Sequence, residues 1–274
     1  MAITVRALGT QYEALAKWTG EKAEAIRRQV EDDHEGPREH WVAWREGEVV
    51  GAVHPVLTPD RKLRLFFDRT LPEAYESLVA MVDGPCQTTI DGAEAASLET
   101  LRGLGFEVSR AELLVEIPVA RTEYAVPAGY RVISASDTGV RELMTLDAAL
   151  RDDVPGAEGW QPDEQWFREE TYDSPFFDPE TYLVALDPTR DYAGLVRIWN
   201  GPRPLPRLGL IGVLPAHRRR GLARALVGAA LNVLAARGES VAIAEVDETN
   251  TASRALLGSF GATQTGLELE LTRS

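Results

Sequence analysis

The stretch AASLETLRGLGFEVSRAELLVEI, beginning at Ala95, can be laid without a gap on TASRALLGSFGATQTGLELELTR, beginning at Thr251. Ser97 falls on Ser253, Gly105 on Gly261, Glu112 on Glu268 and Leu113 on Leu269. Each copy reads as a short helix, a glycine stop and an alternating strand. A second feature repeats in the same order. WVAWREGEVVGAVHPVL from Trp41 and TYLVALDPTRDYAGLVRIW from Thr181 are both strand, turn, strand, the pattern of a hairpin. A chain with such a repeat folds as two versions of one plan. At 274 residues each half has enough chain for its own core. ARTEYAVPAGYRV, Ala120 to Val132, lacks an apolar period and carries Pro and Gly, so the boundary is expected near residues 120–128, giving domains 1–122 and 128–274.

The two versions differ in one place. After KLRLFFD the first continues RTLPEAYESLVAMV, whereas the second gives RLGLIGVLPAHRRRGLARALVGAALNVLAA. RLGLIGV, Arg207 to Val213, reads as a buried strand, LPAHRRR as a turn, and the rest as an apolar helix stopped by Gly238. Three arginines before a helix oppose its dipole, which favours anions at that end. They make sense around a bound anion. Unpaired N–H groups of the first helical turn point outward, and arginine adds charge-assisted hydrogen bonds to phosphate oxygens. Gly221 and the small Ala223 are expected to let a phosphate approach the backbone. Elsewhere the balance is acidic, 43 Asp and Glu against 29 Lys and Arg, net −14. That argues against nucleic-acid binding, which needs cations to neutralise phosphates. It implies one local anion.

RRRGLA, Arg218 to Ala223, matches the Q/R-x-x-G-x-G/A motif of the GNAT superfamily of acyl-CoA N-acyltransferases, and the lead-in IGVLPAH is similar to that family's. VAIAEVDETNTASRALLGSFGA, Val241 to Ala262, resembles its next strand and helix. The resemblance covers about residues 130–274 and reaches the first half only through the repeat. It implies a mixed α/β (α+β) fold of two tandem GNAT-like domains, each a mostly antiparallel twisted sheet flanked by helices, the N-terminal copy degenerate. It also implies acetyl-CoA as acyl donor, with Arg218, Arg219, Arg220, Gly221, Leu222 and Ala223 around the pyrophosphate. The backbone of Ile211, Gly212 and Val213 would lie along the pantetheine and thioester, with Asn250 and Ser253 beside the pantetheine. Asn250 is equally suited to cap a helix; the first copy has Glu94 there.

Acetyl transfer needs an amine freed of its extra proton. The period of two places Val241, Ile243, Glu245 and Asp247 on one strand face. Glu245 stands in the E-V-x-x-x-N frame that looks like the proposed base of ribosomal-protein alanine N-acetyltransferases; a salt-bridged carboxylate at a strand end is the simpler alternative. Many GNAT members carry a tyrosine seven residues after the asparagine as an acid, where this chain has Leu257. On the acceptor side, Leu150 to Glu180 interleaves acids with Trp160, Trp166, Tyr172, Phe176 and Phe177, which suits a cationic amine. Asp152 and Asp153, in a Pro-Gly turn, are the candidate substrate ligands.

The leading expectation is an N-acetyltransferase for a small primary amine, a small-molecule partner. Mycothiol-synthase-like transfer, protein N-terminal or lysine acetylation, and a non-catalytic acyl-CoA sensor are the alternatives. One cysteine and four histidines give no metal-ligand spacing. The absence of a secretory or membrane-length apolar segment points to a cytoplasmic protein without membrane contact, as monomer or homodimer.

Overall fold

The computed structural model describes residues 2–24, 26–27, 39–121, 123–201 and 204–274; position 122, at the expected boundary, lies outside them. The chain forms two compact units, Met1–Ala111 with Leu267–Ser274, and Glu112–Gly266.

The first unit contains strands β1 (Thr4–Ala7), β2 (Trp41–Arg45), β3 (Glu48–Leu57), β4 (Leu63–Asp68) and β5 (Cys86–Asp91), and helices α1 (Tyr12–Thr19), α2 (Tyr75–Val79) and α3 (Ala95–Gly103). It also holds the first residues of β6 (Glu107–Pro118) and most of β12 (Thr263–Arg273). Its strand order is β1-β2-β3-β4-β5-β12-β6, with β4 and β5 parallel and the β1-to-β4 pairings and β5–β12 antiparallel. β3 is buried almost continuously because apolar side chains cover both its faces. Val50, Val53, Leu78, Phe106 and Leu271 pack on one side, Leu15, Val42 and Ala52 on the other.

The second unit contains β7 (Arg131–Ser134), β8 (Tyr182–Leu186), β9 (Tyr192–Trp199), β10 (Arg207–Val213) and β11 (Val241–Asp247), and helices α4 (Val140–Arg151), α5 (Glu164–Glu170), α6 (Leu222–Ala236) and α7 (Thr251–Gly258). The order is β6-β11-β10-β9-β8-β7, with β10 and β11 parallel and the other rungs antiparallel. α6 is built from Ala and Leu, the strongest helix formers, and buries Leu222, Ala225, Leu226, Ala230, Leu231 and Leu234 against one sheet face. α4 and α5 close the other face over Leu143, Leu150, Phe167 and Leu195. No helix among the described residues is long and apolar enough to cross a membrane.

The repeat is visible in the elements. α3 and β6 match α7 and β12, and both hairpins lie where the turns place them. Both helices stop the same way. Gly105 and Gly261 take φ +87° and +81°, and the following N–H of Phe106 or Ala262 returns to the carbonyl of Leu101 or Leu257.

The units divide elsewhere than the connector. Residues 120–128 fall inside the second unit, because Glu112–Pro118 of β6 pair with Val241–Asp247 of β11 along the whole strand. Glu268–Arg273 of β12 pair in turn with Cys86–Asp91 of β5 in the first. A connector is read from local composition; these pairings are long-range.

Candidate active site

β10 and β11 share only two rungs, Arg207 with Ile243 and Leu208 with Ala244. A bulge between Leu208 and Leu210 bends β10, and beyond it the two strands part. The β11-facing edge of Gly209–Val213 therefore carries backbone groups outside the parallel ladder. A narrow cavity of about 80 Å³ opens there, lined among others by Gly209, Ile211, Glu245, Asn250 and Ser253. It shares Ile211, Asn250 and Ser253 with a larger groove of about 430 Å³, which Gly212, Val213, Arg218, Arg219 and Ala223 also line. Gly212 is needed by packing: a Cβ there would stand 2.9 Å from a methyl of Leu150.

The groove ends at the first turn of α6. Gly221 holds φ +85° and Arg219 φ +59°, so two left-handed residues turn the chain into the helix. A Cβ on Gly221 would meet no protein atom. The left-handed backbone, and not crowding by the protein, is what asks for glycine here. The arginine cost of about 1–2 kcal/mol is the strain often found at binding loops.

The arginines are not equivalent. Arg218 donates from Nε to the Val213 carbonyl at 2.8 Å, and its terminal nitrogen pairs with Asp153. Arg219 and Arg220 are exposed, Arg220 reaching the Ala216 carbonyl at 3.4 Å. Leu222 sends its side chain into the core, so only its backbone belongs to the loop face. Asn250 caps α7: its side-chain oxygen accepts from Ser253 N at 3.0 Å. Glu94, its counterpart in the first unit, makes no such cap and instead accepts from the Ser97 hydroxyl at 2.9 Å.

Glu245 is largely buried and accepts from Arg207 Nε at 2.6 Å. The ion pair at a strand end, the simpler expectation, is what its side chain makes while facing the narrow cavity. Leu257 is core, 3 % exposed, and touches the same cavity.

Asp152 caps the end of α4 and is exposed, while Asp153 is drawn to Arg218. Most other acids of residues 150–180 serve local structure. Asp163 caps α5, Glu164 pairs with Arg141, Asp173 with Arg168, and Asp178 and Glu180 with Arg237, whose own pKa rises through those bonds. Trp160 and Trp166 meet edge-on, and the Arg151 guanidinium lies 4.9 Å from the Trp160 ring. Tyr172 and Phe177 pack into the core.

Sequence reasoning missed a buried group around Asp147, which is 1 % exposed. Arg151 Nε donates to one of its oxygens at 2.5 Å and Arg197 to the other at 3.3 Å. Arg151 follows Asp147 by one helical turn, a local signal; Arg197 comes from β9 and left none.

Residues 145–262 match the Acetyltransferase (GNAT) family. No curated protein is significantly similar in sequence. Among solved structures, a GCN5-related N-acetyltransferase from Sphaerobacter thermophilus is similar at TM-score 0.70 and 16% identity, over 99% of this chain and 95% of that one. A tandem GNAT protein from the clavulanic acid biosynthesis pathway is similar at TM-score 0.64 and 15% identity, over 99% and 97%. A putative acetyltransferase from Pyrococcus horikoshii aligns at TM-score 0.57 and 12% identity, over 98% and 88%. The splayed strands and the arginine-glycine loop lie within the stretch that matches the Acetyltransferase (GNAT) family, and the whole chain shares the fold of a tandem GNAT protein.

Proposed function

We propose that this protein transfers an acetyl group from acetyl-CoA to a small primary amine. The observation that carries the reading is the parting of β10 from β11 beside a groove that ends at an arginine-bearing helix start. The residues suit the donor. Arg219, Arg220 and the first N–H groups of α6 would hold the pyrophosphate, and the free edge of Gly209–Val213 would pair with the pantetheine amides. Donors on that edge also suit the carbonyl oxygen as it gains charge. The carbon–nitrogen bond forms as the carbon–sulfur bond breaks, and coenzyme A leaves as a thiolate. The proton lost by the amine passes to Glu245, directly or through one water, and Arg207 holds that carboxylate in place. Leu257 offers no proton to the thiolate, which leaves unaided or takes one from water.

The reading places one donor site in each chain, because RTLPEAYESL in the first unit forms the short α2 without an arginine-glycine turn. Calorimetry should find one acetyl-CoA per chain, and two equivalent sites would overturn this. Arg220→Ala should weaken binding by roughly 10- to 100-fold, the loss of a charge-assisted phosphate contact. Unchanged affinity would return Arg220 to a solvated surface role.

A further inference from the structure

Tyr182, Arg197 and Leu210 are cross-strand neighbours on β8, β9 and β10, so their side chains share one sheet face. α4 lies over that face and brings Asp147 and Arg151 onto it. Two guanidiniums thus share one carboxylate. The Arg197 side chain is 8% exposed and that of Asp147 2%, so the group is a buried cation in excess. Two polar atoms at its centre have no hydrogen-bond partner: Nε of Arg197 and the hydroxyl of Tyr182. The Tyr182 ring lies 5.6 Å and the Trp199 ring 4.8 Å from the Arg197 guanidinium, which offsets part of the charge but satisfies neither atom. Burying guanidinium without an equal number of anions is costly, so the group calls for an explanation. Arg151 keeps a partly exposed side chain.

The position decides what the group could meet. Leu210, opposite Arg197 in the ladder, lines the narrow cavity between the parted strands, and Leu150, next to Arg151, lines the groove. Neighbouring strands lie about 5 Å apart, a distance that a small amino acid spans.

We propose that Arg151 and Arg197 bind a carboxylate of the acceptor, so that the amine acetylated is that of an amino acid. The inference rests on the acetyl-transfer reading above and narrows its substrate class. It fits the fate of Asp153, Glu164, Asp173, Asp178 and Glu180, whose carboxylates are engaged by the protein's own arginines. The carboxylate accepts from both guanidiniums and from the Tyr182 hydroxyl, and Asp147 keeps the two arginines fixed in its absence.

The test compares acids with their uncharged counterparts on the wild-type protein. The proteinogenic amino acids, β-alanine and 4-aminobutyrate are each assayed beside the matching carboxamide and decarboxylated amine, by release of coenzyme A thiol. The expected result is turnover of one or more acids, with KM for the carboxamide raised roughly 10- to 100-fold. Arg151→Gln should raise KM for the acid by a similar factor, leave kcat within a few-fold, and leave KM for the carboxamide unchanged. A structural role for Arg151 would move both substrates together and overturn the proposal. Equal use of acids and carboxamides would also overturn it, as would turnover of decarboxylated amines alone or of nothing despite acetyl-CoA binding. Failure to bind acetyl-CoA in calorimetry would instead bring down the acetyl-transfer reading itself.

Discussion

Glu245 and Arg207 sit at the point where β10 and β11 begin to part, which gives a single carboxylate a testable task. Glu245→Gln keeps the shape and removes the basicity. Turnover should fall by ~10²–10⁴-fold, the usual worth of a general base, with acetyl-CoA affinity nearly unchanged. Part of the loss should return at high pH, where free amine already exists in solution. A variant that follows the parent across the whole pH range would show that water alone takes the proton. At this scale the sequence was informative where a residue's role is local. Asn250 caps the helix that follows it, and Gly221 adopts the backbone its place before a helix suggests. It was silent where the partner is far along the chain. Nothing near Arg218 announces Asp153, and nothing near Arg197 announces Asp147.

The hairpin of β3 and β4 carries two titratable side chains on one face, His54 and Asp68, each buried to a different effect. Burial, helped by the nearby Glu21, pushes the Asp68 carboxyl up to about 6. Burial pulls the His54 imidazole down to about 4. Between about pH 4 and 6 the folded form keeps the Asp68 proton that an unfolded carboxyl near 3.9 has lost, so this group makes stability fall as pH rises. Between about pH 4 and 6.5 the unfolded chain protonates His54 and the folded form does not, so this group makes stability rise with pH. The two slopes oppose each other in the parent. Asp68→Asn should uncover a stability that rises by up to about 2–3 kcal/mol across the window, and His54→Phe one that falls by a similar amount. Urea denaturation of the two variants from pH 4 to 6.5 checks this; slopes of the same sign would refute it. Elements themselves were the most legible level. Hairpins, the β10-loop-α6 run and the repeated helix-strand all follow from period and punctuation, which act over a few residues. The bulge that parts β10 from β11 was not legible, since it depends on both neighbouring strands.

For the whole molecule, membership of the two units is the property least readable from composition. Residues 267–274 belong with the first unit although they follow the second in sequence. Leu271 is fully buried there, and Arg273 donates to the Val82 carbonyl at 2.9 Å and lies over Phe106. Leu271→Ala should cost about 2–5 kcal/mol, the range for an emptied aliphatic core site. Hydrogen exchange should show the loss first in β5 and α3, and not in α7, its neighbour in sequence. Loosening confined to α7 would contradict the assignment.

This membership sets the order in which a nascent chain can finish. A ribosome adds about 5–20 residues per second, so Leu267 follows Ala111 by roughly ten to thirty seconds. Throughout that interval Cys86–Asp91, paired with β4 on one edge, lacks β12 on the other. An unpaired edge is a template for any passing strand, including the same segment of a chain on the next ribosome. Slower elongation through residues 112–266 lengthens this exposure, so codon usage there, far from the residues at risk, would set how much of the newly made protein escapes aggregation.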